Sequence, residues 1–515
     1  MTAKSLMVQG TSSHCGKSLL VAAFCKIFSD AGYKTAPFKG QNMSLNSYVT
    51  EEGTEIARAQ ALQAYAAGIE TSTDMNPILL KPKGNMVSQV VLKGKHYKDM
   101  KAEDYYRDFV FFRGLKEVKA SLEKLLSAYE IVLIEGAGSP VEINLYDVDI
   151  TNMQVADLAE APVILVTDID RGGSFASLLG TLELLKPKHR RRIKGFVFNK
   201  FRGELSLLQP GLVRFEEITG IPVLGVVPYI EDLKLPTEDS VSLDEPKKRK
   251  HGVINIAVIR LPKISNSTDF DPLKLEVGVE VQFIKSVSEL DKPDLVILPG
   301  TKNTVQDLLW LERTGFAKKL MNLAELGIPL MGICGGYQML GKKIIDEKGV
   351  EDGDPGEYDG LNLLDTVTRF DACDKVTQRV TVQVIGKEPI INSAYGEKVS
   401  GYQIHMGTTI LGPDVRPIFK LNNQAECDGT GFEGSISKNG LILGTYLHGV
   451  FDDFPIRKAL INFLCNRKNV KSSNLFEADV ESVWTESLEK LAETVKRSLN
   501  IIELCKIIDI SPSKG

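Results

Sequence analysis

The first apolar run of the chain is followed by a glycine-rich segment, Gly10-Thr-Ser-Ser-His-Cys-Gly16-Lys17-Ser18, and then by a helical pattern. Glycines let the backbone N–H groups of such a loop turn towards phosphate oxygens, and the following helix N-terminus adds partial positive charge. Lys17 would reach the outer phosphates and the Ser18 hydroxyl would bind Mg²⁺. Five residues separate the glycines, where the usual spacing is four. The alternative is an ordinary strand-to-helix turn, but the position after the first strand favours a phosphate loop.

Apolar runs alternate with helical patterns over about the first 230 residues. Strands that are apolar throughout and separated by helices are typical of a parallel sheet covered on both faces. The sequence therefore predicts a doubly wound α/β domain. The predicted strands are SLMVQG, KTAPFKG, YEIVLIEG, PVILVTDI, IKGFVFNK and PVLGVVP, and the predicted helices cover Gly16–Asp30, Thr54–Ala67 and Glu103–Ala128.

The composition changes at residues 236–252, where polar residues, two prolines and a short basic run replace the periodic pattern. We interpret this stretch as a linker, because a short charge run between domains is usually solvated. The first domain is then residues 1–235, and a second α/β domain covers residues 253–465.

The second domain begins with apolar strands such as DLVILPG and IPLMGIC. After about Asp365 the strands alternate apolar and polar residues, which predicts antiparallel additions to the sheet. A helical tail follows at residues 466–515. An apolar stripe in this tail predicts a face that docks against the body of the protein: Trp484, Leu488, Leu491, Val495, Leu499 and Ile502.

Charged side chains follow several of the predicted strands of the first domain. Lys39, Glu135, Asp168 and Asp170 lie at carboxyl ends of strands, where ligands bind in open α/β sheets. Glu135 is the preferred second Mg²⁺ ligand, because a carboxylate supplies hard oxygen atoms, and Asp168 is the second choice. For either acid, a helix cap or a loop salt bridge is the alternative.

A cysteine stands at the turn from a buried strand into a helix, in Gly332-Ile-Cys334-Gly335-Gly336. The glycines fit a nucleophile elbow, where a sharp turn exposes the thiol and the helix N-terminus favours the thiolate. Backbone N–H groups there stabilise an oxyanion, and the turn at Gly300 is the expected second donor. The other six cysteines lack this context, and we interpret them as structural thiols.

A thiol nucleophile needs a base, and two of the six histidines are candidates. His448 ends the apolar strand LILGTYLHG, and His405 lies in SGYQIHMGTT. His448 is the preferred base because it ends an apolar strand of the same α/β domain as Cys334. The alternative is a histidine that only satisfies its own hydrogen bonds at a strand end.

The charge balance excludes a strongly basic or membrane-bound class. Lys and Arg number 62 against 67 Asp and Glu, a net charge of −5, so we expect no nucleic-acid partner. Apolar runs such as Ile131–Ile134 are far shorter than the roughly 18 residues of a membrane-spanning helix. The start of the chain has no leader pattern, and we expect a cytoplasmic protein.

Several long segments together resemble the cobyric acid synthase family, the glutamine-dependent amidases of corrinoid biosynthesis. The resemblance covers almost the whole chain. It is carried by APFKGQNMSLNS, EIARAQALQAYAAG, DMNPILLKP, IEGAGSPVEINL, VTDIDRGGSFASLLGT, NKFRGE, GICGGYQMLG, GYQIHMG and TYLHGVFD. The phosphate loop with five residues between its glycines is similar to that of dethiobiotin synthetase, which accounts for its unusual length.

The resemblance implies a dethiobiotin-synthetase-like ligase domain followed by a class I glutamine amidotransferase-like domain. In the second, Cys334 would attack the glutamine amide, with His448 as base. In the first, ATP and Mg²⁺ would activate the b, d, e and g carboxylates of adenosylcobyrinic acid a,c-diamide for amidation.

By the same matching, Gly10, Gly16, Lys17, Ser18 and Lys39 would serve the nucleotide, and Ser18 and Glu135 the metal. Asn199 is similar to the residue that reads the purine. Asn42, Ser44 and Arg171 are candidate corrin contacts from their strand-end positions. The oligomeric state, the order of amidations and the ammonia route stay open.

One position departs from the class I pattern. These glutaminases generally carry Glu two residues after the base, and position 450 here is Val. The departure predicts a Cys334–His448 dyad without that orienting carboxylate, and therefore a less activated pair.

Three rival functions stay open at this point. Cobyrinic acid a,c-diamide synthase shares the architecture, but the segment APFKGQNMSLNS favours cobyric acid synthase. A nucleotide-switched partitioning ATPase would have related loops and no cysteine elbow. A ligase with an inactive glutaminase domain, fed by free ammonia, is disfavoured by Cys334 and His448.

Overall fold

The strand next to the phosphate loop lies in the middle of a six-stranded parallel sheet, in the order β12-β11-β10-β1-β9-β2. The strands of this part of the chain are β1 (Lys4–Gly10), β2 (Thr35–Phe38), β3 (Gln41–Met43), β4 (Ser47–Val49), β5 (Glu55–Ala57), β6 (Ile78–Gly84), β7 (Val87–Leu92), β8 (Lys95–Lys101), β9 (Ile131–Glu135), β10 (Val163–Asp168), β11 (Ile193–Phe201) and β12 (Val223–Pro228). The order reverses at β1, and this switch point is where such sheets bind ligands. The predicted doubly wound sheet is confirmed.

The computed structural model describes residues 3–84, 86–236, 252–351, 354–370, 375–422, 431–471, 476 and 479–514. Nearly all of the predicted linker, together with Cys373 and Cys427, lies outside the described residues.

Helices cover both faces of the first sheet, as the apolar strands require. They are α1 (Lys17–Asp30), α2 (Arg58–Ala66), α3 (Ala102–Asp104), α4 (Leu115–Ala128), α5 (Met153–Leu158), α6 (Ser174–Leu184), α7 (Pro187–Arg190) and α8 (Leu205–Thr219). Successive residues of β9 enter different cores: Val132 packs with α4 and α6, whereas Leu133 packs with α1. The alternation of side chains along a strand produces this division.

The chain between β2 and α4 departs from the prediction. A small sheet, β3-β6-β7-β8, and the hairpin β4-β5 lie there, and neither was predicted from the sequence. The predicted helix Thr54–Ala67 begins only at Arg58, because Glu55 is a buried strand residue that accepts a hydrogen bond from Lys81 Nζ at 2.5 Å. The predicted helix Glu103–Ala128 forms, with a π-helical turn over Tyr105–Gly114.

The second domain is built on a nine-stranded sheet, in the order β14-β13-β15-β16-β25-β24-β23-β20-β21. Its strands and those of a smaller neighbouring sheet are β13 (Ile254–Ile259), β14 (Val279–Ile284), β15 (Leu295–Leu298), β16 (Leu330–Ile333), β17 (Lys343–Asp346), β18 (Gly356–Asp359), β19 (Thr366–Arg369), β20 (Val376–Val384), β21 (Lys398–His405), β22 (Thr408–Leu411), β23 (Val415–Leu421), β24 (Phe432–Ser437) and β25 (Ile442–Thr445). Strands β13 to β16 and β25 are parallel, and β24, β23, β20 and β21 extend the sheet antiparallel, as predicted.

The helices of the second domain surround this sheet, and the last two helices leave it. They are α9 (Asp271–Leu275), α10 (Thr304–Thr314), α11 (Phe316–Glu325), α12 (Gly335–Leu340), α13 (Phe454–Arg467), α14 (Val480–Ser498) and α15 (Ile501–Ile507). Within the described residues, no helix is both long and apolar enough to span a bilayer.

The tail returns to the first domain and covers α1. Leu488, Leu491 and Val495 of α14 are buried in the core that α1 shares with the sheet. The N–H of Asn500 donates to the carbonyl of Leu224 on the edge strand β12 at 2.7 Å. The predicted docking stripe is therefore present, except that Ile502 is 61% exposed.

We expect the substitution Leu488→Ala to lower the free energy of unfolding by about 2–5 kcal/mol, because it leaves a cavity under a 2% exposed side chain. Urea titration followed by Trp484 fluorescence, in a Trp310→Phe background, measures the effect, since these are the two tryptophans of the chain. The matched control, Leu207→Ala at an 82% exposed site, should change stability by less than about 0.5 kcal/mol. Equal effects of the two substitutions would contradict the docking of α14.

Candidate active sites: a phosphate loop and a buried cysteine–histidine pair

Gly16 lies at the N-cap of α1 with φ of 98°, a left-handed conformation that side chains with a Cβ rarely adopt. A Cβ at this position would also overlap the amide group of Asn199 at the end of β11. Asn199 Nδ2 donates to the carbonyl of Cys15 at 2.8 Å and holds the loop against the sheet. Two constraints therefore require glycine at position 16: the left-handed φ and the close approach of the Asn199 side chain.

The Lys17 side chain folds back across the loop. Its Nζ donates to the carbonyl of Ser12 at 2.9 Å and to that of Gly138 at 3.2 Å. Gly10 allows this packing, because a Cβ there would lie 3.0 Å from Lys17 Nζ and would overlap the sulfur of Cys15. The Lys17 ammonium group is therefore held within the loop beside the N-terminus of α1, and both features favour phosphate binding.

Glu135 is fully buried beside the loop, where Val8 of β1 and Glu135 of β9 are register partners. Its Oε1 accepts hydrogen bonds from Ser18 Oγ and from Lys39 Nζ, each at 2.8 Å. Its Oε2 accepts from Gln63 Nε2 at 2.6 Å and from the more distant Gln60 Nε2 at 3.3 Å. The predicted residues Ser18, Lys39 and Glu135 therefore meet at one point.

The oxygen atoms of Ser18 and Glu135 fit a magnesium ion better than a metal whose ligands must all come from the protein. The described residues contain no cluster of three or more His, Cys, Asp or Glu side chains suited to a metal. One carboxylate and one hydroxyl are enough for Mg²⁺, which keeps several waters and also binds phosphate oxygens.

The remaining strand-end candidates have structural partners. Asp168 Oδ2 accepts from Lys200 Nζ at 2.9 Å, so the salt-bridge alternative applies to Asp168. Asn42 and Ser44 are buried, and Asn42 Nδ2 donates to Gln60 Oε1 at 2.8 Å. Arg171, with its side chain 70% exposed, is the accessible member of the proposed corrin contacts.

Cys334 occupies a strained turn between β16 and α12, with φ of 53° and ψ of −112°. The neighbouring glycines permit the turn. A Cβ at Gly332 would lie 2.6 Å from the backbone of Gly336, and a Cβ at Gly336 would overlap the carbonyl of Leu298. The backbone therefore has the sharp strand-to-helix turn that was predicted for a nucleophile elbow. The Cys334 thiol lies 3.5 Å from the carbonyl oxygen of Ile404.

His448 lies close enough to Cys334 for the two side chains to interact, and it also has a carboxylate partner. The Nδ1 atom donates to Asp269 Oδ2 at 2.7 Å, and both side chains are buried. Burial lowers the pKa of His448, but the charge and hydrogen bond of Asp269 and the contact with Cys334 raise it to about 10. The Asp269 carboxylate therefore favours the protonated form of the His448 ring.

Asp269 corrects one expectation from the sequence. The pair lacks a carboxylate at position 450, as predicted, but Asp269 supplies one from a different segment, 179 residues before His448. The expected weakening of the pair therefore does not follow. Nothing in the local sequence around Asp269 marks it, because its role depends on a contact between distant segments.

The other predicted residues of the second site lie close to this pair. A Cβ at Gly300 would lie 3.1 Å from His448 Cε1, so the Gly300 turn borders the site; its role as oxyanion donor stays a prediction. His405 stacks on Tyr446 with ring centroids 3.9 Å apart. The contact of His448 with Asp269 supports the prediction of His448 as the base, and its role as base stays a prediction.

The first domain contacts the segment that carries Asp269. Ser267 N donates to Asn46 Oδ1 at 3.0 Å, and Ser47 N donates to Asn266 Oδ1 at 2.9 Å. Asn266 Nδ2 in turn lies 3.4 Å from each ring nitrogen of His448. The position of His448 therefore depends in part on residues of the first domain.

The fold and the two sites define a class: a phosphate-loop ligase joined to a cysteine glutaminase. Residues 6–243 match the CobQ/CobB/MinD/ParA nucleotide binding domain family, and residues 255–456 match the CobB/CobQ-like glutamine amidotransferase domain family.

Full-length relatives narrow the class to a family. A probable cobyric acid synthase of Methanothermobacter thermautotrophicus is 48% identical over 510 residues, which are 99% of this chain and 100% of the relative. A cobyric acid synthase of Pelotomaculum thermopropionicum is 46% identical over 516 residues, covering 99% of this chain and 97% of the relative. The chain belongs to the cobyric acid synthase family.

We expect Asp269→Asn to reduce glutamine hydrolysis by roughly 10²- to 10⁴-fold, because an amide no longer stabilises the His448 imidazolium. Ammonia release from glutamine measures this effect. The control, Asp271→Asn, removes a nearby acid that pairs with Lys274 at 2.6 Å and should keep hydrolysis within a few-fold. Undiminished hydrolysis in Asp269→Asn would show that the carboxylate contributes nothing.

Proposed function

We propose that this protein is a cobyric acid synthase, which uses ATP and glutamine to amidate the b, d, e and g carboxylates of adenosylcobyrinic acid a,c-diamide. One observation carries the proposal: a single chain that resembles cobyric acid synthases over its full length holds both a phosphate loop and a Cys–His–Asp arrangement. We assign the ligase reaction to residues 1–235 and the glutaminase reaction to residues 253–465, with residues 236–252 as linker and 466–515 as a tail.

In the glutaminase half, His448 carries a proton between the Cys334 thiol and the departing nitrogen, and Asp269 stabilises the charged form of the ring. The Cys334 thiolate attacks the carboxamide carbon of glutamine, and a negative charge develops on the amide oxygen beside the elbow backbone. The His448 imidazolium gives its proton to the departing nitrogen, and ammonia leaves a glutamyl thioester. His448 then accepts a proton from water as the water hydrolyses the thioester to glutamate.

The ligase half uses the charges at the end of the parallel sheet. Gly10, Gly16 and Lys17 would hold the phosphates of ATP, and Asn199 the purine side of the loop. Ser18 and Glu135 would bind Mg²⁺, which when present neutralises phosphate charge. A corrin carboxylate oxygen attacks the γ-phosphorus and ADP leaves; ammonia then attacks the acyl phosphate, and phosphate leaves.

Lys39 supports this assignment through its charge. It is buried, and Glu135 is its hydrogen-bonding partner. An ammonium group at the edge of the phosphate site stabilises the negative charge that develops during phosphoryl transfer. We place the reaction in the cytoplasm, where ATP and glutamine are available.

Two alternative functions can be distinguished from the proposed one, the first by the mass of its product and the second by its use of ATP. Cobyrinic acid a,c-diamide synthase would amidate two carboxylates instead of four, and the product mass distinguishes them. A nucleotide-switched ATPase would hydrolyse ATP without regard to glutamine, and Cys334 with His448 and Asp269 would have no function in it.

We expect Cys334→Ala to abolish amidation with glutamine and to retain amidation with ammonium, because the ligase site needs only ammonia. The mass of the corrinoid should fall by about one unit per amide formed, four times with ammonium in the variant. The control, Cys465→Ala, removes a buried thiol of α13 and should keep both activities. Amidation from glutamine by Cys334→Ala would refute the nucleophile assignment.

We expect Lys17→Met to reduce amidation by at least roughly 10³-fold with either nitrogen donor, because a preorganised cation at the transferring phosphoryl group is lost. Phosphate release and product mass measure it. Lys26→Met serves as control, since Lys26 lies on the same helix and pairs with Asp30 at the surface. If Lys17→Met lost amidation with glutamine but kept amidation with ammonium, Lys17 would lie outside the ATP site.

A further inference from the structure

The pocket that contains Cys334 is lined by residues of both domains. The second domain contributes Lys302, Glu351 and Lys375, and the first domain contributes Lys81 and Gln89 from β6 and β7. Three ammonium groups therefore face one small pocket beside a nucleophile that must receive a zwitterionic amino acid.

Two of these ammonium groups, Lys81 and Lys375, share one carboxylate, that of Glu55. Glu55 Oε1 accepts from Lys81 Nζ at 2.5 Å, and Glu55 Oε2 accepts from Lys375 Nζ at 2.6 Å. Both oxygens of the buried Glu55 carboxylate are therefore engaged. Lys83, a neighbour outside the pocket lining, pairs with Asp99 at 2.8 Å.

Lys302 differs from the other lysines. In the part of the chain that the structure describes, Lys302 Nζ forms no ion pair and donates no hydrogen bond. Burial lowers the pKa of Lys302 to about 8, Glu351 opposes the shift, and the neighbouring Lys375, Lys83 and Lys81 add to it. At neutral pH the group is mostly protonated, so Lys302 lines the pocket as a buried cation with no ion-pair partner among the described residues.

Glu351 is the complementary group. Its Oε2 accepts from Thr304 N at 2.6 Å, and its backbone N–H donates to Asp346 Oδ2 at 3.0 Å, which together fix the carboxylate at the pocket. Glu351 attracts Lys302 electrostatically, but the two side chains do not form an ion pair. The two opposite charges are separated, as the charges of an α-amino acid are.

We propose that Lys302 binds the α-carboxylate of glutamine and Glu351 binds its α-ammonium group, so that the carboxamide reaches Cys334. The inference rests on the proposed glutaminase function and assigns the specificity for an α-amino acid to this pair. Lys81 and Gln89 close the pocket from the ligase domain, so the glutamine site is complete only when the two domains are in contact.

The test compares substrates that lack one charge each. Lys302→Met should raise the KM for glutamine roughly ten- to a hundred-fold with little change in kcat, because one charged hydrogen bond that binds the ground state and the transition state equally is lost. The α-methylamide of glutamine, which has no carboxylate, should be hydrolysed equally well by wild type and Lys302→Met. In the same way, Glu351→Gln should lose the preference for glutamine over 4-carbamoylbutanoate, which has no α-amino group.

Lys83→Met is the matched control, because it removes a nearby positive charge outside the pocket lining. An unchanged KM for glutamine in Lys302→Met, or an equal rise in Lys83→Met, would overturn the proposal. Amidation with ammonium should be retained in every variant. If Lys302→Met loses this activity too, Lys302→Arg decides: recovery of glutamine kcat/KM supports the proposal, and no recovery overturns it.

The experiment also distinguishes an error in the proposed function from an error in the assignment of Lys302 and Glu351. The wild-type protein would then release no ammonia from glutamine, whereas failure of this inference leaves wild-type hydrolysis intact and changes only the effect of the substitutions.

Discussion

The buried carboxylate of Glu135 determines how the first domain is arranged. A buried charge is costly unless hydrogen bonds and opposite charges compensate it. Here Ser18 of α1, Lys39 after β2 and Gln63 of α2 provide them, each within 2.8 Å. Three elements that are distant in sequence therefore converge on one residue, and the phosphate loop takes its position from that convergence. The order β1-β9-β2 in the sheet makes it possible.

The same network reaches towards the second site. Gln60, which contacts Glu135, accepts a hydrogen bond from Asn42, and a few residues later Asn46 accepts one from Ser267. Ser267 stands two residues before Asp269, the hydrogen-bond partner of His448. One short segment of the ligase domain thus contacts the Glu135 carboxylate through Gln60 at one end and the glutaminase domain at the other.

The sequence predicted what depends on local pattern and little of what depends on distant contacts. Some features are determined by residues that are neighbours in the sequence, and their local structure was predicted correctly. They are the apolar strands, the loop ending at Ser18 and the glycine-rich turn around Cys334. Asp269 could not be predicted, because its partner lies 179 residues away. The start of α2 was wrong for a related reason: Glu55 has the local pattern of a helix, and its ion pairs with Lys81 and Lys375 hold it in a strand.

The return of the tail to the first domain makes the glutaminase domain an insertion within the ligase domain. The chain enters and leaves the glutaminase domain at neighbouring positions, since Lys468 Nζ donates to the carbonyl of Val253 at 2.9 Å. An inserted domain whose ends are close adds little loop-closure entropy to the folding of its host.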